Sequence, residues 1–339
     1  MAAAAPAIER SARHWIISRN VDLTLVIGSA LAGYVYLGLY SVLHVPITLL
    51  WWFWSVGFDG THIFATASRT FFDREARQRQ PVLLYGSLLF FFTIGPLMVL
   101  AGAVKYLAIL VGVWAYYHVI RQHYGFMVLY KVKHRDLLPI DNTLDRTFLG
   151  VMLIFPPFHR FFLHHPEELG LHTSFPWLEP YLWGLVAATL VVYLGRQYLH
   201  WRSGATVDTP KYLLFLAIMP LHWLTFQFMS WQAAVPTVTI VHNLQYHAIV
   251  WFHNRNRYAG DSQTSHGRIP TAVSRSLLAY VVVGLAFSLL YRIPGFALGK
   301  VSELAFGFFC GFGLTHYYLD SRIWRVRHDP GLRAALRMG

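Results

Sequence analysis

The amino-acid sequence predicts an all-α fold, a polytopic transmembrane helix bundle of about ten spans with both termini cytoplasmic. Three observations predict it. The 339 residues are 55% apolar and 17% aromatic with 13% charged, where a soluble domain carries about 25% charged residues. Long apolar windows recur from residue 21 to residue 320. The cations collect in alternate connections between those windows. The 25 Gly and 16 Pro follow no collagen-like period, so neither a fibrous repeat nor a disordered chain fits.

Taken in order, apolar segments of bilayer length fall at 21–43, 46–68, 81–104, 106–130, 147–164, 178–198, 210–231, 234–253, 273–292 and 301–321, each judged against the roughly 20 residues a bilayer requires. The fifth is the shortest, and Pro156 and Pro157 are expected to interrupt it. Residues 1–20 read as a cytoplasmic lead-in, because the apolar run after Arg19 exceeds a signal-peptide core. Residues 322–339 read as a basic cytoplasmic tail, and 1–339 as a single integral-membrane domain.

Charge sets the expected orientation. Of 28 Lys and Arg, 23 lie in the N-terminal segment, in the connections after the even-numbered segments, or in the tail. The other side receives Lys105, Arg160, Arg292 and Lys300, and Arg121 falls inside the fourth segment. By the positive-inside rule both termini are cytoplasmic. The expected location is an integral membrane position, in a bacterial inner (cell) membrane given the compact loops. The net charge of +12 is spread over short separate segments, so no nucleic-acid partner is implied. One cysteine, Cys310, excludes an intrachain disulfide.

The chemistry-bearing residues are histidines. Eighteen are present, and an ionisable residue inside an apolar span is by default a functional-site hypothesis. His62, His123, His247 and His316 lie 7, 8, 8 and 6 residues from the next cation, roughly 9–12 Å below the basic rim at about 1.5 Å per residue. Asp59, His118, His242 and His222 form a deeper tier. Helical phase puts Asp59 with His62, and His316 with Asp320, on shared faces. The pairs His118/His123 and His242/His247 are five apart, about 140° around an α-helix. A π-bulge or kink would be needed to bring both members of such a pair to one site. His253 falls near the face of His242.

The set His62, His118, His123, His222, His242, His247, His253 and His316, with Asp59 and Asp320, reads as a metal site, since neutral imidazole suits Fe, Zn and Cu and carboxylates ligate or orient it. One or two non-haem irons, as a di-iron site, are expected, and zinc is the rival metal. Helix–helix hydrogen bonding within a polar bundle core is the alternative without a metal. Arg121 is expected to pair with Asp59 or to bind a substrate carboxylate or phosphate. His159, His164, His165 and His172, with Glu167 and Glu168, gather on the non-cytoplasmic side. They read as a second metal site or a cap over the bundle, and their spacing, matching no compact ligand set, points to the cap.

In its general plan, with histidines near the cytoplasmic ends of helices, the chain resembles histidine-rich integral-membrane non-haem iron oxygenases. One class is the fatty-acid desaturases and hydroxylases; the other is the Brp/Blh-like carotenoid-cleaving dioxygenases. It departs from the first class in lacking H-x-x-H-H boxes, its one adjacent pair, His164-His165, lying on the opposite side. The resemblance implies an O₂-dependent oxidoreductase of lipid metabolism acting on a lipid or isoprenoid from the bilayer. Trp51, Trp114, Tyr246, Trp251, Tyr317 and other aromatics near the histidines suit such a substrate, although Trp and Tyr also belong to membrane interfaces. No nucleotide-binding fingerprint is present, so electrons would come from a separate donor protein. A zinc hydrolase of a lipid amide or ester, and a transporter or haem carrier, are the other function classes.

Overall fold

Backbone amides and carbonyls in hydrocarbon must be satisfied within the chain, and a helix does this locally. In the computed structural model, which describes residues 14–260, 266–299 and 301–338, the chain forms helices and, among those residues, no strand. The lead-in through residue 13 and Lys300 lie outside the described residues.

The first long helix, α1, runs Arg19–Ser41 with a π turn inside it. Next come α2 (Ile47–Trp54), a π turn (Ser55–Asp59) and α3 (Gly60–Arg69). A short α4 (Arg74–Arg79) precedes α5 (Val82–Leu100) and α6 (Val104–His134). Then follow α7 (Pro139–Phe158), which ends in a π turn (His159–His164), α8 (Glu179–Arg202), α9 (Thr209–Phe228) and α10 (Trp231–Tyr258). The chain closes with α11 (Arg268–Arg275), α12 (Leu277–Gly299), α13 (Glu303–Ile323) and α14 (Pro330–Ala335).

Among the described residues, four helical stretches are long and apolar enough to cross a membrane: Arg19–Ser41, Val82–Leu100, Pro176–Arg202 and Leu277–Gly299. Large apolar side chains stand exposed on them, among them Leu89, Val191 and Leu290, and a face of this kind calls for hydrocarbon or a partner against it. The other six apolar segments also lie on helices. Five of them carry buried ionisable residues, His62, His118 with His123, Lys211 with His222, His242 with His253, and His316 with Asp320.

Pro156 and Pro157 do not interrupt their segment, contrary to expectation: α7 runs through both. Pro156 has no N–H for the carbonyl of Met152, four residues back. The indole Nε1 of Trp223 donates to that carbonyl instead, at 2.9 Å.

By packing, the chain falls into two compact units, residues 1–47 with 119–242 and residues 48–118 with 243–339. Helix α6 belongs to the second unit through His118 and to the first from Val119, and α10 changes from first to second between His242 and Asn243.

The first unit is organised around a buried charge cluster. Lys131, counted in the sequence as a loop cation, is buried with Asp145 and pairs with it. Lys211 Nζ lies 3.2 and 3.3 Å from the two Asp145 oxygens, and the Tyr193 hydroxyl donates to Oδ1 at 3.0 Å. The Tyr193 ring stacks on Phe148 at 3.9 Å. Nearby, Arg196 holds Asp141 in a fork of 2.7 and 3.1 Å, and this hydrogen-bonded partner lowers the Asp141 carboxyl below the usual carboxylate range.

The second unit is set by two close helix approaches. A Cβ on Gly95 of α5 would lie 2.1 Å from the Gly307 carbonyl oxygen of α13. A Cβ on Gly60 of α3 would lie 1.9 Å from Ser288 Oγ of α12. At Gly95 the absent side chain lets two backbones meet, and at Gly60 it leaves room for the Ser288 side chain, small residues being the usual device for helices packed in lipid. The first approach seats the helix carrying His316, the second the helix carrying His62.

Candidate metal centre

In the second unit α3, α6 and α13 each direct one buried imidazole to the same place. His62 Nε2 lies 2.6 Å from His316 Nε2, which lies 3.1 Å from His118 Nε2. The ligand atoms of the three lie within 4.8 Å of one another. All three side chains are buried, and the group could hold a metal ion.

The partners of His316 orient its ring. Thr66, one turn beyond His62 on α3, has its Oγ1 2.7 Å from His316 Nδ1 and 3.0 Å from Asp320 Oδ1. The Tyr246 hydroxyl donates to the same carboxylate oxygen at 2.5 Å. A hydroxyl has one proton to give. With the Thr66 proton on Asp320, Thr66 accepts from His316 Nδ1–H, and the lone pair of His316 sits on Nε2, the atom aimed at His62 and His118. A neighbour that takes the outer N–H is the usual companion of a metal-binding imidazole. Asp320 reaches further into the group through Oδ2, 3.7 Å from His118 Nε2. The shared face predicted for His316 and Asp320 is the one observed, at 3.8 Å.

His247 does not join this group. Thr61 Oγ1 donates to the carbonyls of Gly57 and Phe58, both at 2.9 Å, and stands 3.0 Å from His247 Nε2. Nδ1 of the same ring is 3.0 Å from the Tyr280 hydroxyl. Thr61 therefore accepts Nε2–H while Tyr280 donates to Nδ1, and both ring nitrogens are engaged. His253 is buried beside Asn254, its Nδ1 3.0 Å from the amide oxygen, away from the three-histidine group.

Helices α6 and α10 are uninterrupted α-helices through their H-x-x-x-x-H pairs, without the π-bulge that could have united them. The 140° between partners therefore stands, and the unit boundary separates them. His123 lies in the first unit, buried against His222 with ring centroids 5.7 Å apart. His242 is also buried in the first unit, its carbonyl accepting from Gln122 Nε2 at 2.8 Å.

The two remaining sequence candidates depart from expectation. Asp59, on the π turn before α3, is half-buried and paired with Arg292 rather than Arg121. The close Gly60–Ser288 approach brings α12, and its cation, alongside. Arg121 is exposed on α6 with its guanidinium 5.1 Å from the Tyr124 ring, one turn ahead on the same helix.

Thr66 is missing from the sequence reading, although its place four residues after His62, on one helix face, was a usable signal. Arg69, the first cation after His62, does not stand at an exposed rim. It is buried, donates from Nη2 to the Ile323 carbonyl at 3.1 Å and lies 3.9 Å over the Trp324 ring. It thus closes the C-terminal turn of α13, where orphan carbonyls need donors. An apolar wall adjoins the histidines. Tyr317 is 5.0 Å from His118 between ring centroids and 6.3 Å from Trp114, which packs on the cluster of Phe91, Leu107 and Leu314.

No protein-family model, curated protein or solved structure matches the chain.

Proposed function

We propose that the chain is a membrane-embedded non-haem iron oxygenase of a lipid or isoprenoid substrate, with ten spans, cytoplasmic termini and its site near the cytoplasmic face of a bacterial inner membrane. The observation that carries the reading is the convergence of Nε2 from His62, His118 and His316, with the outer nitrogen of His316 held by Thr66 and Asp320. Three buried imidazoles and a neighbouring carboxylate, with no thiolate, are a donor set suited to iron or zinc. A compact group of this size suits one metal ion better than two.

Iron held there would supply activation of O₂. The chain's own residues do the rest. Thr66 and Asp320 fix the His316 tautomer, and Tyr246 anchors Asp320. Tyr317, Trp114 and the apolar cluster beside His118 offer a dry surface for a hydrocarbon chain entering from the bilayer. Hydroxylation or desaturation would draw two electrons from substrate and two from a separate donor protein, whereas oxidative cleavage places both oxygen atoms in products and needs no donor.

The test is elemental analysis with a visible spectrum of detergent-purified protein, wild type beside a His62→Ala, His316→Ala double variant. Iron in the wild type, its loss in the variant and the absence of a Soret band support the reading. Zinc in its place moves the activity to hydrolysis of a lipid amide or ester. Equal metal content in both proteins overturns the site.

A further inference from the structure

A third H-x-x-x-x-H pair, His159 and His164, is treated differently by the fold. In an α-helix these residues would stand about 140° apart, and from spacing alone they form no compact ligand set. Here the chain from His159 to His164 is a π turn, closed by a five-residue hydrogen bond from His165 N to Arg160 O at 2.7 Å. Because each turn of a π-helix takes in about one more residue, residues five apart come nearly one above the other. The two imidazoles accordingly lie side by side, ring centroids 4.6 Å apart.

Both rings aim Nε2 at one carboxylate. His159 Nε2 is 2.9 Å from Glu179 Oε1, and His164 Nε2 is 3.3 Å from Glu179 Oε2. Glu179 opens α8, and Trp183, one turn on, donates its indole N–H to Oε1 at 3.4 Å. Phe155 packs on both His159 and Trp183, at 5.3 and 4.7 Å between centroids, so the ring and the carboxylate are buttressed from the same side. One ligand atom from each of the three residues lies within 4.8 Å of the other two. Tetrahedral zinc, with bonds of about 2.0–2.1 Å, places its ligand atoms about 3.3 Å apart.

Ion pairing alone explains this arrangement poorly. A surface pair contributes about 0–1 kcal/mol, and one protonated imidazole would satisfy it. A second imidazolium 4.6 Å from the first would repel it. A divalent cation replaces both protons, binds two neutral imidazoles and keeps the carboxylate charged. His164, with 40% of its side chain exposed, leaves an approach for the ion.

We propose that His159, His164 and Glu179 form a second transition-metal site, built by the π turn and binding one divalent ion such as Zn²⁺ through two imidazole nitrogens and a carboxylate oxygen. The site lies wholly within the first unit and is independent of the three-histidine group. Three protein ligands leave a fourth position for water, the pattern of an open zinc site.

Calorimetric titration of chelator-stripped, full-length protein in detergent with Zn²⁺ alone tests this, in a His62→Ala, His316→Ala background that removes the three-histidine group. The expected result is one zinc equivalent in that background, lost on adding His159→Ala with His164→Ala and weakened at least tenfold by Glu179→Gln. His164→Gln, at a partly exposed position, serves where the double change disturbs folding, and it is expected to weaken binding by a similar factor. Zinc binding that is absent in the background protein, or unchanged by His164→Gln, overturns the proposal. Neither result bears on the three-histidine site, which is read from iron in the wild type and its loss in the His62→Ala, His316→Ala variant.

Discussion

Thr66 Oγ1 lies 2.7 Å from His316 Nδ1, close enough for the hydroxyl to decide which nitrogen of that ring carries the proton. Its other neighbours, Asp320 Oδ1 at 3.0 Å and the Tyr246 hydroxyl at 2.7 Å, hold it in place. Thr66→Val keeps the side-chain shape and removes the acceptor. Partners of this kind are worth about 10–100-fold in metal affinity, so chelator competition should show a loss of that order, with Thr66→Ser largely retaining binding. Full affinity in Thr66→Val would remove Thr66 from the orienting role.

His247 and His316 are expected to separate cleanly. His316→Gln should abolish the iron content assigned to the three-histidine group. His247→Gln should leave it intact, because both nitrogens of His247 serve Thr61 and Tyr280 rather than the group. Its effect should appear in stability, about 1 kcal/mol, the low end of the cost for an unpaired polar group because His247 is half-buried. Measuring metal content and thermal melting on the same preparations checks both halves.

Asp145 balances two buried lysines, Lys131 and Lys211. Removing one partner of a buried ion pair leaves an uncompensated charge and costs about 3–5 kcal/mol. Asp145→Asn should therefore lower the melting temperature sharply. Replacing Lys131 by Met in the same chain should recover part of the loss, since one stranded cation is then gone. A variant pair that melts with the wild type would show that the cluster is hydrated rather than buried.

Gly95 is where α5 and α13 touch backbone to backbone. Gly95→Ala forces the helices apart, and overpacking of this kind costs about 1–3 kcal/mol. The displacement falls on the helix that carries His316. Metal affinity should therefore drop together with stability, whereas Gly38→Ala, where an added Cβ meets nothing within 4 Å, should change neither. Paired melting and chelator-competition curves distinguish the two.

Much was legible in the sequence because helices and membranes impose local rules. The apolar runs marked the helices, and the i,i+4 spacing of His316 and Asp320 marked a shared face, since 3.6 residues per turn leave no choice once the helix is straight. The same arithmetic made a π-bulge or kink the condition for His118 and His123 to share a site, and α6, an uninterrupted α-helix through both, does not meet it. What local rules could not supply is which helix stands beside which. Tertiary packing chose Arg292 over Arg121 for Asp59, buried Lys131 and Lys211 around Asp145, and gave both nitrogens of His247 to hydroxyls. It also placed the π turn at His159 and His164, where no spacing rule pointed to it. Whether a buried histidine becomes a ligand or a hydrogen-bonding strut depends on the proton its outer nitrogen keeps. That is set by a neighbour on another helix, Thr66 for His316 and Tyr280 for His247.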